Sequence, residues 1–144
     1  MSADDIVILG AKRTPIGAFQ GALGGASAPE LSATATRAAL ADSGVDPETL
    51  DESILGCVLP AGLGQAPARQ ATLAAGIPNS RGATTINKVC GSGMKSIMLG
   101  ADLIKAGSAA RVLTGGMESM SNAPYLMPKA RGGYRMGHQE VLDH

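Results

Sequence analysis

Aromatic residues are almost missing from this chain of 144 residues: one Phe, two Tyr and no Trp. That scarcity removes the stacking platforms on which single-stranded nucleic acids are held. Twelve basic residues against twelve acidic ones leave no cationic excess for a phosphate backbone, so no nucleic-acid partner is expected. Cysteine is scarce as well. Cys57 and Cys90 alone do not make a disulfide framework. No apolar run approaches the roughly 18–20 residues a membrane span needs, and no membrane partner is expected. The opening stretch Met1-Ser2-Ala3-Asp4-Asp5 is acidic and lacks the basic and apolar regions of a signal peptide. A cytoplasmic, reducing setting follows as the expectation, and it keeps both thiols free.

What the chain has is small residues. Apolar types make up 44% and glycine contributes 20 positions, so the core must be built from Ala, Val, Ile, Leu and Met around tight turns. Length suffices for a domain with a sizeable core. Ile6 to Leu9 is a continuous apolar run closed by Gly10, suited to a strand buried on both faces. Lys12 to Ala28 has no steady period and reads as a long loop. Ser27-Ala28-Pro29-Glu30 fits a capping box with proline in the first turn, and Gly44 is a natural stop for the helix it opens. Asp46-Pro47 caps a further turn, with Val45 and Leu50 placed as a staple across it.

Ser53 to Val58 reads as a second strand and Pro67 to Ala75 as a short helix ended by Gly76. Thr84 to Val89 reads as a third strand. A helix from Gly93 to Ala106 keeps Met94, Ile97, Met98, Ala101 and Ile104 at helical spacing. Arg111 to Thr114 is a fourth strand. Alternating strands and helices argue for an α/β fold with a mainly parallel central sheet, whose active residues lie at strand carboxyl ends. From Ser119 the pattern breaks. Asn122 to Gly137 is loop-like and carries Lys129, Arg131 and Arg135, a solvated connector in preference to an anion-binding loop. Gln139 to His144 reads as the start of a helix.

Most local motifs fail on inspection. Gly91-Ser92-Gly93-Met94-Lys95-Ser96 lacks the glycine a P-loop sets directly before its lysine. Gly62-Leu63-Gly64-Gln65-Ala66-Pro67 puts proline where a dinucleotide fingerprint needs its third glycine. Cys57, Cys90, His138 and His144 have no metal-ligand spacing, and no metal is expected. Both histidines read as solvent-exposed, and Cys57 as a packed thiol inside a strand. Glu118 is an acid/base candidate without a partner at working distance in sequence, so a structural hydrogen-bonding role is favoured.

Cys90 differs. A β-type run delivers it into a Gly-Ser-Gly corner just before a helix. Unpaired backbone N–H groups and the helix dipole favour negative charge there, and the thiolate is the nucleophilic form of cysteine. The residues alone leave a reactive role and a packed thiol both open.

Ile86-Asn87-Lys88-Val89-Cys90-Gly91-Ser92-Gly93-Met94-Lys95-Ser96-Ile97 closely resembles the acyl-enzyme signature of thiolases, in particular the acetyl-CoA acetyltransferase type. Ile8-Leu9-Gly10-Ala11-Lys12-Arg13-Thr14-Pro15-Ile16-Gly17 resembles that family's opening strand and turn. Gly115-Gly116-Met117-Glu118-Ser119-Met120-Ser121 resembles the strand end after the nucleophile helix. Asn122-Ala123-Pro124-Tyr125 and Arg131-Gly132-Gly133-Tyr134-Arg135-Met136-Gly137 resemble the entry to its inserted loop domain.

The resemblance implies a thiolase-like N-terminal α/β domain over residues 1–121, and the start of the loop domain over 122–144. It implies acyl transfer between CoA thioesters, either condensation of two acetyl-CoA or thiolytic cleavage of a 3-ketoacyl-CoA. Cys90 would be the nucleophile that carries the acyl thioester, and its backbone N–H an oxyanion donor. CoA thioesters enter as substrates, with no permanently bound cofactor. It implies a homodimer or tetramer in the full-length family form, with Thr84 to Val89 pairing across the dimer. Thiolases are longer. Their activating histidine, second cysteine and asparagine-held water come from a second half, and His138, His144 and Cys57 do not match those motifs. The chain is therefore expected to be incomplete relative to the family. The alternative is a non-catalytic segment that acts by dimerising or by pairing with a second half. A decarboxylating condensing enzyme shares the fold, but the Asn-Lys-Val-Cys-Gly-Ser-Gly setting favours thiolase.

Overall fold

A computed structural model describes residues 5–144; the first four residues of the acidic N-terminal stretch lie outside it. The first regular element is helix α1, Ala28–Ser43, and its boundaries are chemical. The Ser27 hydroxyl accepts the Glu30 N–H while the Glu30 carboxylate accepts the Ser27 N–H at 2.8 Å, closing the capping box. Gly44 ends the helix in the left-handed conformation at φ 66°. A single 3-10 turn follows at Pro47–Thr49, with Val45 packed on the cluster that contains Leu50.

Strand β1, Glu52–Gly56, is the central strand. Helix α2, Pro67–Ala74, leads to β2, Gly82–Ile86; helix α3, Ser92–Lys105, leads to β3, Val112–Gly116. The three strands form a parallel sheet in the order β2-β1-β3, with Ile54 opposite Thr84 on one side and Thr114 on the other. The α/β class and the parallel sheet are as the alternation implies.

Alternation along β1 divides the core. Leu55 and Cys57 point to one face, where Ala28, Ala68, Ala71 and Met117 seal them. A neighbouring cluster of Ala33, Leu50, Ala75 and Ile77 extends that layer under α1. Gly56 points to the other face, toward α3. Small side chains let α3 come close. Its buried residues are Ser92, Ser96 and Gly100, and a Cβ on Gly100 would stand 2.8 Å from Thr114 Cγ2.

Four expectations need correction. Ile6 to Leu9 forms no strand among the described residues, and it is not buried on both faces: Ile8 is 75% exposed. It runs along an apolar groove of about 520 Å³ that also has Val112 of β3 in its wall, rather than hydrogen-bonding a sheet. The apolar periodicity of α3 does not mark its packed face. Met94, Ile97 and Met98 are exposed, because close approach to the sheet selects the small-residue stripe instead. The third strand ends at Ile86 rather than Val89, so a three-residue bend separates it from Cys90. Gln139 to His144 is not helical: Leu142–Asp143 forms β5, paired antiparallel with β4, Tyr125–Leu126.

Among the described residues no helix is long and apolar enough to cross a membrane, and no three His, Cys, Asp or Glu side chains cluster to hold a metal ion.

Candidate active site at Cys90

Asn87 to Gly91 forms the corner between β2 and α3. Its backbone is strained at one point: Val89, the residue before the cysteine, has φ 49°. A β-branched side chain rarely enters that region, and such residues persist only where the surroundings over-determine them. Two side chains do so here. Asn87 Oδ1 accepts the Val89 N–H at 2.8 Å. Ser92 Oγ accepts the Lys88 N–H at 2.9 Å and donates to the Val89 carbonyl at 2.6 Å. Backbone bonds from Gly91 N–H to Lys88 O and from Ser92 N–H to Val89 O, both 3.1 Å, close the turn.

Cys90 stands out of this corner, exposed, immediately before the α3 N-cap Gly91. It opens on a hollow of about 580 Å³ whose wall includes Val58, Leu59, Val89, Met117, Met120 and His144. The groove beside Ile6 to Leu9 does not include Cys90 in its wall.

The far wall of the hollow is built at the ends of β1 and β3. Cys57 N–H donates to Ile86 O at 3.0 Å and Met117 N–H to Gly56 O at 2.9 Å, carrying the strand ladders one step past β1. Glu118 follows. One carboxylate oxygen accepts the Val58 N–H at 2.9 Å; the other accepts the Leu59 N–H at 3.0 Å and faces the Cys57 sulfur at 3.8 Å. The structural role favoured for Glu118 from sequence is the one it has. Cys57 is 1% exposed, the packed thiol expected of it, although β1 ends one residue before it. Burial above all, then the Glu118 charge and hydrogen bond, pushes its thiol up to about 11. Of two thiols, one is sealed and held protonated, and the other faces solvent.

His138 is exposed, but His144 is not simply solvent-facing: half-buried, it lines the Cys90 hollow and its Nε2 accepts the Ala61 N–H at 3.3 Å. No local motif signalled this placement, which depends on the β4–β5 pairing. Sequence reasoning also missed Asn87 and Ser92 as braces. An Asn two residues before a residue with positive φ is a known turn device and was the available signal. Lys129, Arg131 and Arg135 are exposed.

Residues 6–144 match the family model for the thiolase N-terminal domain. Among curated proteins, the acetyl-CoA acetyltransferase of Pseudomonas aeruginosa is 53% identical over 139 residues, covering 96% of this chain and 35% of that protein. Acetyl-CoA acetyltransferase 1 of Arabidopsis thaliana is 52% identical over 139 residues, 96% of this chain and 34% of its own length. The crystal structure of Acat5 thiolase from Ascaris suum in complex with coenzyme A superposes with a TM-score of 0.90 at 44% identity, over 94% of this chain and 35% of that one. The chain thus spans about a third of the length of the curated relatives it matches.

Proposed function

The chain belongs to the thiolase family, and from that premise we propose that it supplies the nucleophile of an acyltransferase acting on CoA thioesters. The observation that carries the reading is the contrast between its two thiols, Cys90 exposed on a strained, braced corner and Cys57 sealed in the core. In this reaction the Cys90 sulfur attacks the thioester carbonyl of acetyl-CoA. A new S–C bond forms, the bond to CoA sulfur breaks, and the thiol proton leaves with CoA as its free thiol. The backbone N–H of Cys90 faces the developing oxyanion, and a covalent acyl-enzyme divides one hard transfer into two easier ones. A second acetyl-CoA gives an α-proton to a base and its α-carbon takes the acetyl group to give acetoacetyl-CoA, while the bond to Cys90 sulfur breaks and the released thiolate regains that proton; the reverse direction is thiolytic cleavage. Residues up to 121 form the α/β domain of this scheme. Residues 122–144, with their separate β4–β5 pair, open its loop domain. The proton-transfer groups of the complete cycle lie beyond the third of the family's length matched here.

Incubating the chain with acetyl-CoA and mapping peptides by mass spectrometry tests the reading. One acetyl group on Cys90, none on Cys57, and release of one CoA are expected, with no label on Cys90→Ala. An unlabelled Cys90 would overturn the nucleophile assignment. Rapid turnover of acetoacetyl-CoA by this chain alone would overturn the division of labour.

A second reading keeps the family and drops the chemistry: the segment acts by pairing with a second copy or a second half. The outer edge of β2, unpaired among the described residues, and the exposed apolar side of α3 favour it. Sedimentation velocity decides, and a monomer at all concentrations counts against it.

A further inference from the structure

Glu118 and Cys90 share one hollow, yet the carboxylate bonds to the backbone of another loop and to the Cys57 thiol rather than to Cys90. That loop is itself bonded to the nucleophile's corner. Val58 donates its N–H to Glu118, and its carbonyl accepts Asn87 Nδ2 at 3.3 Å. The same Asn87 side chain accepts the Val89 N–H through its oxygen at 2.8 Å. The links run without a gap from a charge at the end of β3, across the residues after β1, to the one strained residue that aims Cys90. We propose that Glu118 is a positioning residue for Cys90, acting through Val58 and Asn87 on the left-handed backbone of Val89.

Geometry sets why the group must be a carboxylate. Both oxygens accept from backbone N–H groups, one from Val58 and one from Leu59. Glutamine has a single acceptor oxygen, and its NH2 would face the second N–H donor to donor. Bonds to a charged acceptor are the stronger kind, so the loop is held more firmly than a neutral side chain would hold it. Asn87 is equally constrained, since both ends of its amide are used. The whole relay is local to the corner. None of its hydrogen bonds from Glu118 through Val58 and Asn87 to Val89 is made to α1 or α2.

The proposal rests on Cys90 being the nucleophile, but its test needs no CoA thioester. Carbamidomethylation of Cys90 by iodoacetamide is followed by peptide mass spectrometry in the intact chain, E118Q, N87A and the double variant. Amide exchange at Val89 and in α1 is measured in parallel. Each single variant is expected to slow Cys90 labelling about three- to tenfold, the worth of one lost hydrogen bond. The double variant should be no slower than the worse single, and exchange should rise at Val89 but not in α1. Independent effects that multiply, or E118Q labelling at the unmodified rate, overturn the relay. Should E118Q lose its far-UV circular dichroism, N87A decides alone, because Asn87 is exposed and its truncation leaves the core intact. An unchanged Cys90 rate with unchanged Val89 exchange then overturns the proposal. Failure of acetyl-CoA to label Cys90 would remove the acyltransferase reading and leave this coupling standing.

Discussion

Gly56, the last residue of β1, lies so close to Ser92 that a Cβ built on the glycine would overlap the serine's Cβ and stand 2.9 Å from its carbonyl carbon. The central strand and helix α3 thus meet with no room for a methyl group. The contact falls on backbone and on a buried residue that cannot swing away. Gly56→Ala must push the start of α3 off the sheet. A loss of about 1–3 kcal/mol is expected, the usual cost of overpacking. Urea unfolding measures it, and Cys90 labelling should change in the same variant because Ser92 braces the corner. Wild-type stability in Gly56→Ala would show that the helix has room to shift.

Val89 offers the opposite experiment. Its φ of 49° costs an L-residue roughly 1–2 kcal/mol, whereas glycine enters that region freely. Glycine also adds roughly 0.5–1 kcal/mol of unfolded-state entropy. Val89→Gly is therefore expected to raise stability slightly, by about 0.5–1 kcal/mol, since the valine side chain is exposed and loses little packing. The same change frees the corner, so acetylation of Cys90 should slow while the melting temperature rises. A variant both less stable and equally reactive would refute the idea that strain here serves the nucleophile.

How much of this was legible beforehand depended on the range of the interaction involved. The capping box at Ser27 and Glu30, the stop at Gly44 and the turn after Asp46 are held by bonds spanning two to four residues, and each was readable. The place of Cys90 at a helix start was readable for the same reason. Apolar runs were less dependable. Ile6 to Leu9 has the composition of a buried strand, but among the described residues it pairs with no strand, and an open groove lies between it and β3. On α3 the apolar period pointed away from the sheet, because closeness at Gly56 and Gly100 was set by what the helix lacks. Asn87, Glu118 and His144 do their work through partners 29, 60 and 83 residues away, distances over which a single sequence carries no pairing signal.

Cys57 sets a pH limit. Its thiol titrates near 11 in the folded chain against an ordinary 9.0, with burial first and Glu118 second as causes. The folded-state value is the raised one, so the protonated thiol favours folding. That contribution is complete below about pH 9 and is lost as pH climbs through 11. Chemical denaturation across pH 8 to 11 should show stability falling in this window. Glu118→Gln removes the carboxylate's share, so Cys57 labelling by iodoacetamide should begin at lower pH in that variant. Identical labelling profiles for both cysteines would contradict the sealed position of Cys57.

At the acid end the sign reverses. Asp51 accepts the Ala110 and Arg111 N–H groups at 2.7 and 3.0 Å, tying the chain before β1 to the chain before β3. Those bonds hold its carboxyl below the ordinary 3.8, and Ser27 likewise holds Glu30 below 4.5. Both folded-state values are depressed, so their contribution is present above the ordinary values and disappears as pH falls through the depressed ones. Thermal midpoints measured from pH 6 down to 2.5 should decline below about pH 4.5. Asp51→Asn should flatten that decline while lowering the midpoint at neutral pH. An unaltered acid limb would mean that other carboxylates dominate it.

The outer side of α3 makes the last test. Met94 and Met98 are 72% and 53% exposed and Ile97 47%, one helical patch beside the Cys90 corner. None of the three supports the core, which on this side rests on Ser92, Ser96 and Gly100. Replacing Met94 and Met98 with lysine should therefore change stability by no more than about 0.5 kcal/mol per site, as for ordinary surface positions. The apolar patch itself is of the kind that drives association, so the doubly substituted chain should sediment as a smaller species and bind less of a hydrophobic dye. A large loss of stability would mean that these methionines pack where the structure leaves them open. An unchanged sedimentation profile would mean that this patch does not drive association.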